Sequence, residues 1–317
     1  MVRAFRRVVR CEWPMSAEIE ESDDFYALAL IDRSTICVAG TGGNIQRTTD
    51  GGAAWQRLPS GTKEDLSAIV CVSPRVCYAA GASGTLLKTA DVGTTWQPTA
   101  LRTEWDIHAV TFPTEATGYV AASGGRLYKT LDAATTWERL VTGTTKHLLG
   151  QVFVSPAYGC VVGQGGTILM TEDGGLTWQA CMSGTREDLS AVAFPTPQIG
   201  YVAGRSGVLL KTNDAGRTWR ALNPPTPSHL RGLAFLDHAN GVAVGNGGMG
   251  INTTGQGRVL KTTDGGASWH LLPSKSKSDC LAVALVDSFT YYVAGGEGLL
   301  QQTDDSGVTW KDLLIGR

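Results

Sequence analysis

Seven regularly spaced positions of this chain all carry a titratable side chain. Successive positions are 41 residues apart, except for a single step of 50. These ring positions are Asp24, Asp65, Asp106, His147, Asp188, His229 and Asp279. Five carboxylates and two imidazoles brought together could bind a divalent cation or a basic segment, or could supply an acid and a base for catalysis. The same residues could instead accept backbone hydrogen bonds at strand starts, as Asp commonly does in turns. Both interpretations remain open, and no particular metal is indicated.

Five further side chains near the ring positions differ from their counterparts in the other repeats. Trp105 directly precedes a ring position where most repeats carry a charged residue, and His108 and Arg231 each follow a ring position by two residues. Arg205 and Glu297 come from short Gly-containing segments later in their repeats. Recognition of a partner requires chemical differences between otherwise similar repeats, and an exposed Trp is a frequent energetic centre of interfaces. We therefore predict that these five residues and the ring positions form one binding surface.

The regular spacing comes from an eight-residue segment close to the pattern T-x-D-x-G-x-T-W, the Asp box, which occurs seven times. Its aspartates are Asp50, Asp91, Asp132, Asp173, Asp214, Asp264 and Asp305. A repeat of roughly 40–50 residues with four short strands is typical of a propeller blade. The sequence therefore predicts an all-β fold, a seven-bladed β-propeller over residues 22–317, with four antiparallel strands and one Asp-box turn per blade. Residues 1–21 form an N-terminal tail, either disordered or the result of a misassigned start.

One repeat illustrates the predicted blade. Strands are expected at residues 189–194, 200–203, 208–212 and 218–222, joined as hairpins into an antiparallel meander. In such a meander the Asp boxes lie on one face of the ring, and the second-to-third turns and inter-blade links lie on the other, the upper face. The first strand of a blade is innermost, so the ring positions should surround the mouth of the central channel. The single insertion, residues 246–257, also belongs to the upper face.

Composition restricts the classes of partner and the compartment. With 27 basic and 29 acidic residues and a net charge of −2, no global field favours nucleic acid, and no apolar run is long enough to span a membrane. Most of the seven cysteines replace buried apolar residues of the repeat, and only Cys71 and Cys77 are close enough in sequence for an obvious disulfide. We expect a cytoplasmic monomer without a cofactor.

The Asp box in every blade, together with Gly-Tyr-Val-Ala-Gly at residues 200–204, resembles the photosystem II stability/assembly factor family over residues 22–317. The resemblance implies a seven-bladed Asp-box propeller that binds assembling proteins without catalysing a reaction. It favours a scaffold that captures a protein partner on the upper face.

Two alternatives remain. Sialidases and xyloglucanases also contain Asp boxes, so a glycosidase-like enzyme could use carboxylates of the ring positions, such as Asp65 with Asp106. A lectin or other small-molecule binder is the second alternative. Neither an arginine triad nor an open cleft can be assigned from the sequence, so we expect no catalysis.

Overall fold

The computed structural model describes residues 23–247, 256–273 and 276–313, and these residues form seven four-stranded antiparallel sheets arranged as the blades of a propeller. The predicted fold class is therefore confirmed. The predicted tail, residues 1–21, and the interior of the insertion, residues 248–255, lie outside the described residues. The ends of the insertion are described, and they join the second and third strands of blade 6 as predicted.

Each blade contributes four consecutive strands, from the innermost to the outermost. The first strands are β1 Phe25–Leu30, β5 Leu66–Cys71, β9 Ile107–Thr111, β13 Leu148–Phe153, β17 Leu189–Ala193, β21 His229–Phe235 and β25 Cys280–Leu285. The second strands are β2 Ile36–Gly40, β6 Cys77–Gly81, β10 Gly118–Ala122, β14 Gly159–Gly163, β18 Gly200–Gly204, β22 Gly241–Asn246 and β26 Tyr291–Gly295. The third strands are β3 Ile45–Thr48, β7 Leu86–Thr89, β11 Arg126–Thr130, β15 Thr167–Thr171, β19 Leu209–Thr212, β23 Gly257–Thr262 and β27 Leu300–Thr303. The outer strands are β4 Gln56–Leu58, β8 Gln97–Pro98, β12 Glu138–Leu140, β16 Gln179–Ala180, β20 Arg220–Ala221, β24 His270–Leu271 and β28 Lys311–Asp312.

The ring closes by packing of blade 7 against blade 1, since each sheet is built from four strands consecutive in sequence. First strands of successive blades contact one another around the ring, and β25 contacts β1. Polar contacts reinforce this last junction. The Tyr292 hydroxyl donates to the Gly51 carbonyl at 3.2 Å, and Arg33 pairs with Asp287 at 3.2 Å.

The core consists of the second strands, which are almost completely buried in every blade. A sheet covered on both faces loses the alternation of polar and apolar residues, and this explains runs such as Tyr-Val-Ala. Tyrosines of these strands also pack on the next blade. The rings of Tyr119 and Phe153 stack with their centroids 3.5 Å apart, and those of Tyr201 and Phe235 lie 3.9 Å apart.

The Asp box is a closed network of hydrogen bonds, shown here for blade 5. The Thr212 hydroxyl donates to Asp214 Oδ1 at 2.7 Å and accepts the Gly216 N–H at 2.9 Å. Thr218 donates its N–H to Asp214 Oδ1 at 2.9 Å and its hydroxyl to Asp214 Oδ2 at 2.5 Å. These bonds to Thr218, followed by that from Thr212, lower the pKa of Asp214 to about 2. In blade 1 Ala54 provides the N–H but no hydroxyl.

The strands of the illustrated blade match their predicted positions to within two residues at each end, and the outer strand differs most. The outer strand predicted at residues 218–222 is shorter, Arg220–Ala221, because Thr218 belongs to the Asp-box network and cannot pair in the sheet. Cys71 and Cys77, the pair that the sequence places close enough for a disulfide, are bonded to each other across β5 and β6. Cys37, Cys160, Cys181 and Cys280 are free cysteines. Among the described residues, no helix is long and apolar enough to cross a membrane.

Candidate functional site

The ring positions hold neighbouring blades together on the upper face. Asp65 Oδ1 accepts the N–H of Gly42 at 2.8 Å, and this glycine belongs to the second-to-third turn of the preceding blade. Asp106 and Asp188 accept the equivalent N–H groups of Ser83 and Gly165, each at 3.0 Å. Asp24 repeats the contact at the closing junction, where it accepts the Glu297 N–H at 2.7 Å. The donor residues all have a left-handed backbone, with φ of 52–60°. This shared turn geometry directs each N–H towards the carboxylate of the next blade.

Of the other three ring positions, Asp279 and His147 depart from this arrangement, whereas His229 repeats it with an imidazole in place of the carboxylate. Asp279 accepts from the side-chain amide of Asn246 at 3.0 Å. His229 accepts the Ser206 N–H on Nδ1 at 2.9 Å, so the imidazole must be unprotonated on that nitrogen. His147 instead donates its backbone N–H to the side chain of Gln164 at 3.3 Å. These contacts support the interpretation of the ring positions as acceptors at strand starts. No cluster of three His, Cys, Asp or Glu that could hold a metal ion occurs among the described residues.

A second set of seven residues lies two positions after the ring positions, at a β-bulge in each first strand. The bulges interrupt pairing with the second strand in every blade. The bulge residues are Tyr26, Ser67, His108, Leu149, Ser190, Arg231 and Leu281. A bulge redirects a side chain and often adjoins a functional site. Whereas the ring positions are nearly uniform, the bulge residues include aromatic, aliphatic, hydroxyl, imidazole and guanidinium groups.

His108 is the bulge residue of blade 3, and it is half-buried. Its Nε2 lies 2.9 Å from the Ser123 hydroxyl, and its ring centroid lies 6.2 Å from that of His147 in the next blade. Burial is the main cause that lowers its pKa below the usual value. Asp106 opposes this shift, and His147 adds slightly to it. The His108 imidazole therefore lies between Ser123 of its own blade and His147 of blade 4.

Arg231 is the bulge residue of blade 6, next to a second arginine from blade 5. Surrounding protein lowers the pKa of the Arg231 guanidinium, and Arg205 lowers it further, while Asp279 and Asp188 oppose the shift. Arg205 pairs with Asp188 at 3.6 Å. Arg231 is exposed, and no carboxylate of the described residues lies within ion-pair distance of its guanidinium. It is thus a cation available to a carboxylate from a partner.

Trp105 is exposed and held in place by its own blade. Its side chain is 43% exposed, and the guanidinium carbon of Arg126 lies 3.7 Å from the centre of its ring. Arg126 also approaches the carbonyls of Ser123 and Gly124, at 3.5 and 3.4 Å. Such a cation–π contact orients the indole before any partner arrives. In blades 2, 5 and 7 the contact at this position is a hydrogen bond between a serine hydroxyl and a glutamate, as from Ser278 to Glu297 at 2.9 Å.

The structure brings the predicted site residues together in groups on the upper face. One group, at blades 3 and 4, comprises Trp105, Asp106, His108 and His147. A second group, at blades 5 to 7, comprises Asp188, Arg205, His229, Arg231 and Asp279. Asp24 and Glu297 meet at the closing junction, and Asp65 lies at the junction of blades 1 and 2.

Sequence reasoning missed Arg126 as a partner of Trp105. It also did not single out the bulge residues Tyr26, Leu149 and Leu281 as a group. The comparison that identified His108 and Arg231, extended to all seven residues two positions after the ring positions, would have included these three, because the set as a whole is chemically varied.

Comparisons with known proteins agree with this architecture. The family model described as photosynthesis system II assembly factor YCF48 matches residues 8–152 and 130–278. No curated protein matches the chain in sequence. Among solved structures, YCF48 bound to D1 peptide superposes with a TM-score of 0.72 at 17% identity, covering 90% of this chain and 95% of that one. YCF48 from Cyanidioschyzon merolae superposes with a TM-score of 0.72 at 18% identity, covering 90% and 97%.

A xyloglucanase of glycoside hydrolase family 74 from Xanthomonas campestris is also similar, with a TM-score of 0.75 at 15% identity. The superposition covers 95% of this chain but 56% of the xyloglucanase, and at this identity it indicates the fold alone. The family model, by contrast, matches most of the chain and does so through the sequence itself. The chain therefore belongs to the photosynthesis system II assembly factor YCF48 family.

Proposed function

We propose that this protein is a non-catalytic propeller that captures a segment of a partner protein on its upper face. The observation that carries the proposal is the contrast between the two sets of residues at the channel mouth. The ring positions make similar blade-to-blade contacts, whereas the bulge residues two positions later range from aliphatic and hydroxyl side chains to aromatic, imidazole and guanidinium groups. Differences between repeats are not needed for the fold, so they are available for recognition.

The chemistry of the face favours a partner segment that combines an acidic group with an apolar side chain. Arg231 offers a guanidinium without a bound carboxylate in the described structure, and Arg205 lies nearby. Trp105 offers an aromatic surface already fixed by Arg126. Such anchors carry most of the free energy in protein interfaces. One relative has been solved with a D1 peptide bound, which makes a D1 peptide a suitable first probe.

The test is titration of a labelled D1 peptide, beside capture of proteins from the native host, with the double variant Trp105→Ala, Arg231→Ala. We expect the variant to weaken binding by at least about tenfold, since a buried charged contact and an aromatic anchor each cost more than 1 kcal/mol when removed. Arg217→Ala is the matched control, because Arg217 is an exposed arginine of the Asp-box face paired with Glu172 at 3.3 Å. Equal binding by the double variant and the wild type would refute the upper face as the site.

We further infer a monomer located in the cytoplasm, as the sequence predicts. The four free cysteines among the described residues support a reducing compartment, whereas the Cys71–Cys77 disulfide is typical of an oxidising one. Alkylation of thiols at the moment of cell lysis distinguishes the two, because a disulfide-bonded pair would escape the reagent and contradict the cytoplasmic location.

A further inference from the structure

His229 makes the contact of a ring-position aspartate with a chemically different group. Its Nδ1 accepts the Ser206 N–H at 2.9 Å, in the same way as Asp65 accepts the Gly42 N–H at 2.8 Å. A carboxylate ordinarily stays charged down to about pH 4, whereas an imidazole takes up a proton between about pH 8 and 5. An imidazolium carries a proton on both nitrogens and accepts on neither. The contact between His229 and Ser206 therefore exists only while the imidazole is neutral.

The turn that His229 contacts carries one of the two arginines of the proposed binding surface. Arg205 directly precedes Ser206, and Arg231 follows His229 by two positions. Both arginines are exposed, and Arg205 is close enough to Arg231 to lower the pKa of its guanidinium. His229 therefore belongs to the same cluster, because it contacts the turn that carries one arginine and begins the strand that carries the other.

The charged groups of this cluster come from every element packed around His229. They are Arg205 in the turn, Glu187 and Asp188 ahead of β17, Arg231 on β21 itself and Asp279 ahead of β25. Asn246, opposite His229 on β22, is uncharged. The carboxylates outnumber the guanidinium groups by one while the imidazole is neutral, and a proton on His229 balances the charges. Protonation therefore makes the cluster more favourable for an acidic partner.

Other hydrogen bonds retain the turn when its contact with the imidazole is lost. The Arg205 N–H donates to the Asp188 carbonyl at 2.8 Å, and the Gly207 N–H donates to the Ser228 carbonyl at 2.8 Å. The Ser206 hydroxyl donates to Glu187 Oε2 at 3.1 Å. These bonds do not involve His229, so the turn keeps Arg205 on the upper face at either protonation state. The added charge then decides how protonation changes binding.

We propose that His229 is a proton-dependent cation of the upper face, which joins Arg205 and Arg231 in binding an acidic segment at mildly acidic pH. The inference rests on the proposed function, because it concerns the same surface and the same kind of partner. A carboxylate of the partner favours the imidazolium, so binding takes up a proton and the affinity rises as the pH falls. Two opposite charges about 4 Å apart contribute about fivefold to binding even in the dielectric of bulk water.

The first arm of the test follows the full chain by NMR without any partner. We expect the Ser206 amide signal to move between pH 8 and pH 5, because this N–H loses its acceptor, while the Gly42 amide keeps Asp65 and serves as the reference. In His229→Asn the Ser206 signal should stay in place, since the side-chain oxygen of Asn accepts the same N–H and does not titrate. A Ser206 signal that does not move in the wild type would overturn the proposal.

The second arm measures the Kd of the labelled D1 peptide at pH 7.5 and pH 5.5. We expect the Kd of the wild type to be at least about fivefold lower at pH 5.5, and that of His229→Asn to change little. His147→Asn is the matched control and should behave like the wild type, because its ring lies against His108 in the other group. If His229→Asn does not fold, His229→Asp replaces it, since Asp holds the equivalent turn at other junctions.

The outcomes separate this inference from the proposed function. Equal pH dependence in the wild type and in His229→Asn, or weaker binding by the wild type at pH 5.5, would overturn the inference and leave the proposed function intact. A D1 peptide that binds at neither pH would refute the proposed function, and the inference with it.

Discussion

The Asp-box face and the upper face both depend on carboxylates near strand ends, but they use them differently. On the Asp-box face, Asp173 accepts from Thr171 and from both the N–H and the hydroxyl of Thr177, at 2.6–2.9 Å. On the upper face, Asp65 accepts one backbone N–H, from Gly42. A carboxylate with three short bonds has little remaining capacity for a ligand, whereas one with a single bond can also contact a partner. Saturation of its hydrogen bonds therefore distinguishes a structural carboxylate from one available for recognition.

The largest expected consequence of this difference is sensitivity of the fold to acid. Hydrogen bonds within the box lower the pKa of six Asp-box carboxylates to about 2, from an ordinary value of 3.8. Because the folded pKa is lower than the unfolded one, their contribution to stability is complete above about pH 4 and is lost as the pH falls towards 2. We expect the melting temperature to be nearly constant from pH 7 to 5 and to fall steeply below 4.

A variant with one box weakened tests the origin of this acid sensitivity. Asp305→Asn removes one of the six shifted groups and should make the fall in melting temperature below pH 4 less steep, at the cost of a lower value at pH 7. Thermal unfolding followed by circular dichroism at several pH values measures both. A slope identical to that of the wild type would mean that the boxes are not its cause.

A smaller difference should appear when single residues of the two faces are replaced. Thr212 is 1% exposed and its hydroxyl bonds Asp214 and the Gly216 N–H, so Thr212→Val leaves the buried Gly216 N–H without its partner. We expect it to lower the free energy of unfolding by about 1–3 kcal/mol. Asp188→Asn on the upper face keeps an acceptor for the Gly165 N–H and loses only the ion pair with the exposed Arg205. We expect it to lower the free energy of unfolding by less than about 1 kcal/mol.

Urea unfolding at pH 7 compares these two variants directly. The comparison of the faces would fail if Asp188→Asn were as destabilising as Thr212→Val. Binding of the D1 peptide should show the opposite order, because only Asp188 lies beside Arg205 on the upper face.

The sequence predicted the architecture because its period is imposed by the packing of identical units. The Asp boxes had to recur once per blade, and their neighbours had to form the same strands. Strand lengths were less accessible, as at residues 218–222, since the Asp-box network removes Thr218 from sheet pairing. The disulfide between Cys71 and Cys77 was recognised as an option but could not be decided, because sequence distance does not fix the pairing.

The candidate site was less predictable than the fold, for reasons that the residues illustrate. The register identified the ring positions, but it left the interpretation open until the N–H groups of left-handed turns were found to point at them. The contact of Arg126 with Trp105 depends on the path of a turn, which no periodicity encodes. An arginine where the first two blades carry Asn44 and Thr85 was the available signal.

The smallest expected effect concerns His108, which belongs to the upper face but is half-buried. Burial lowers its pKa from the ordinary value of 6.5, so the unfolded chain binds a proton at pH values where the folded protein does not. Its contribution to stability is therefore present above pH 6.5 and is lost as the pH falls below that value. His108→Gln should remove this part of the pH dependence and can keep a hydrogen bond to Ser123.

Urea unfolding of the wild type and of His108→Gln at pH 8 and at pH 5 tests this expectation. The two proteins should differ in how much stability they lose between the two pH values, with the greater loss in the wild type. An equal loss would mean that His108 is hydrated at the channel mouth to the same extent as in the unfolded chain. Its imidazole would then be as accessible to a partner as the exposed Arg231.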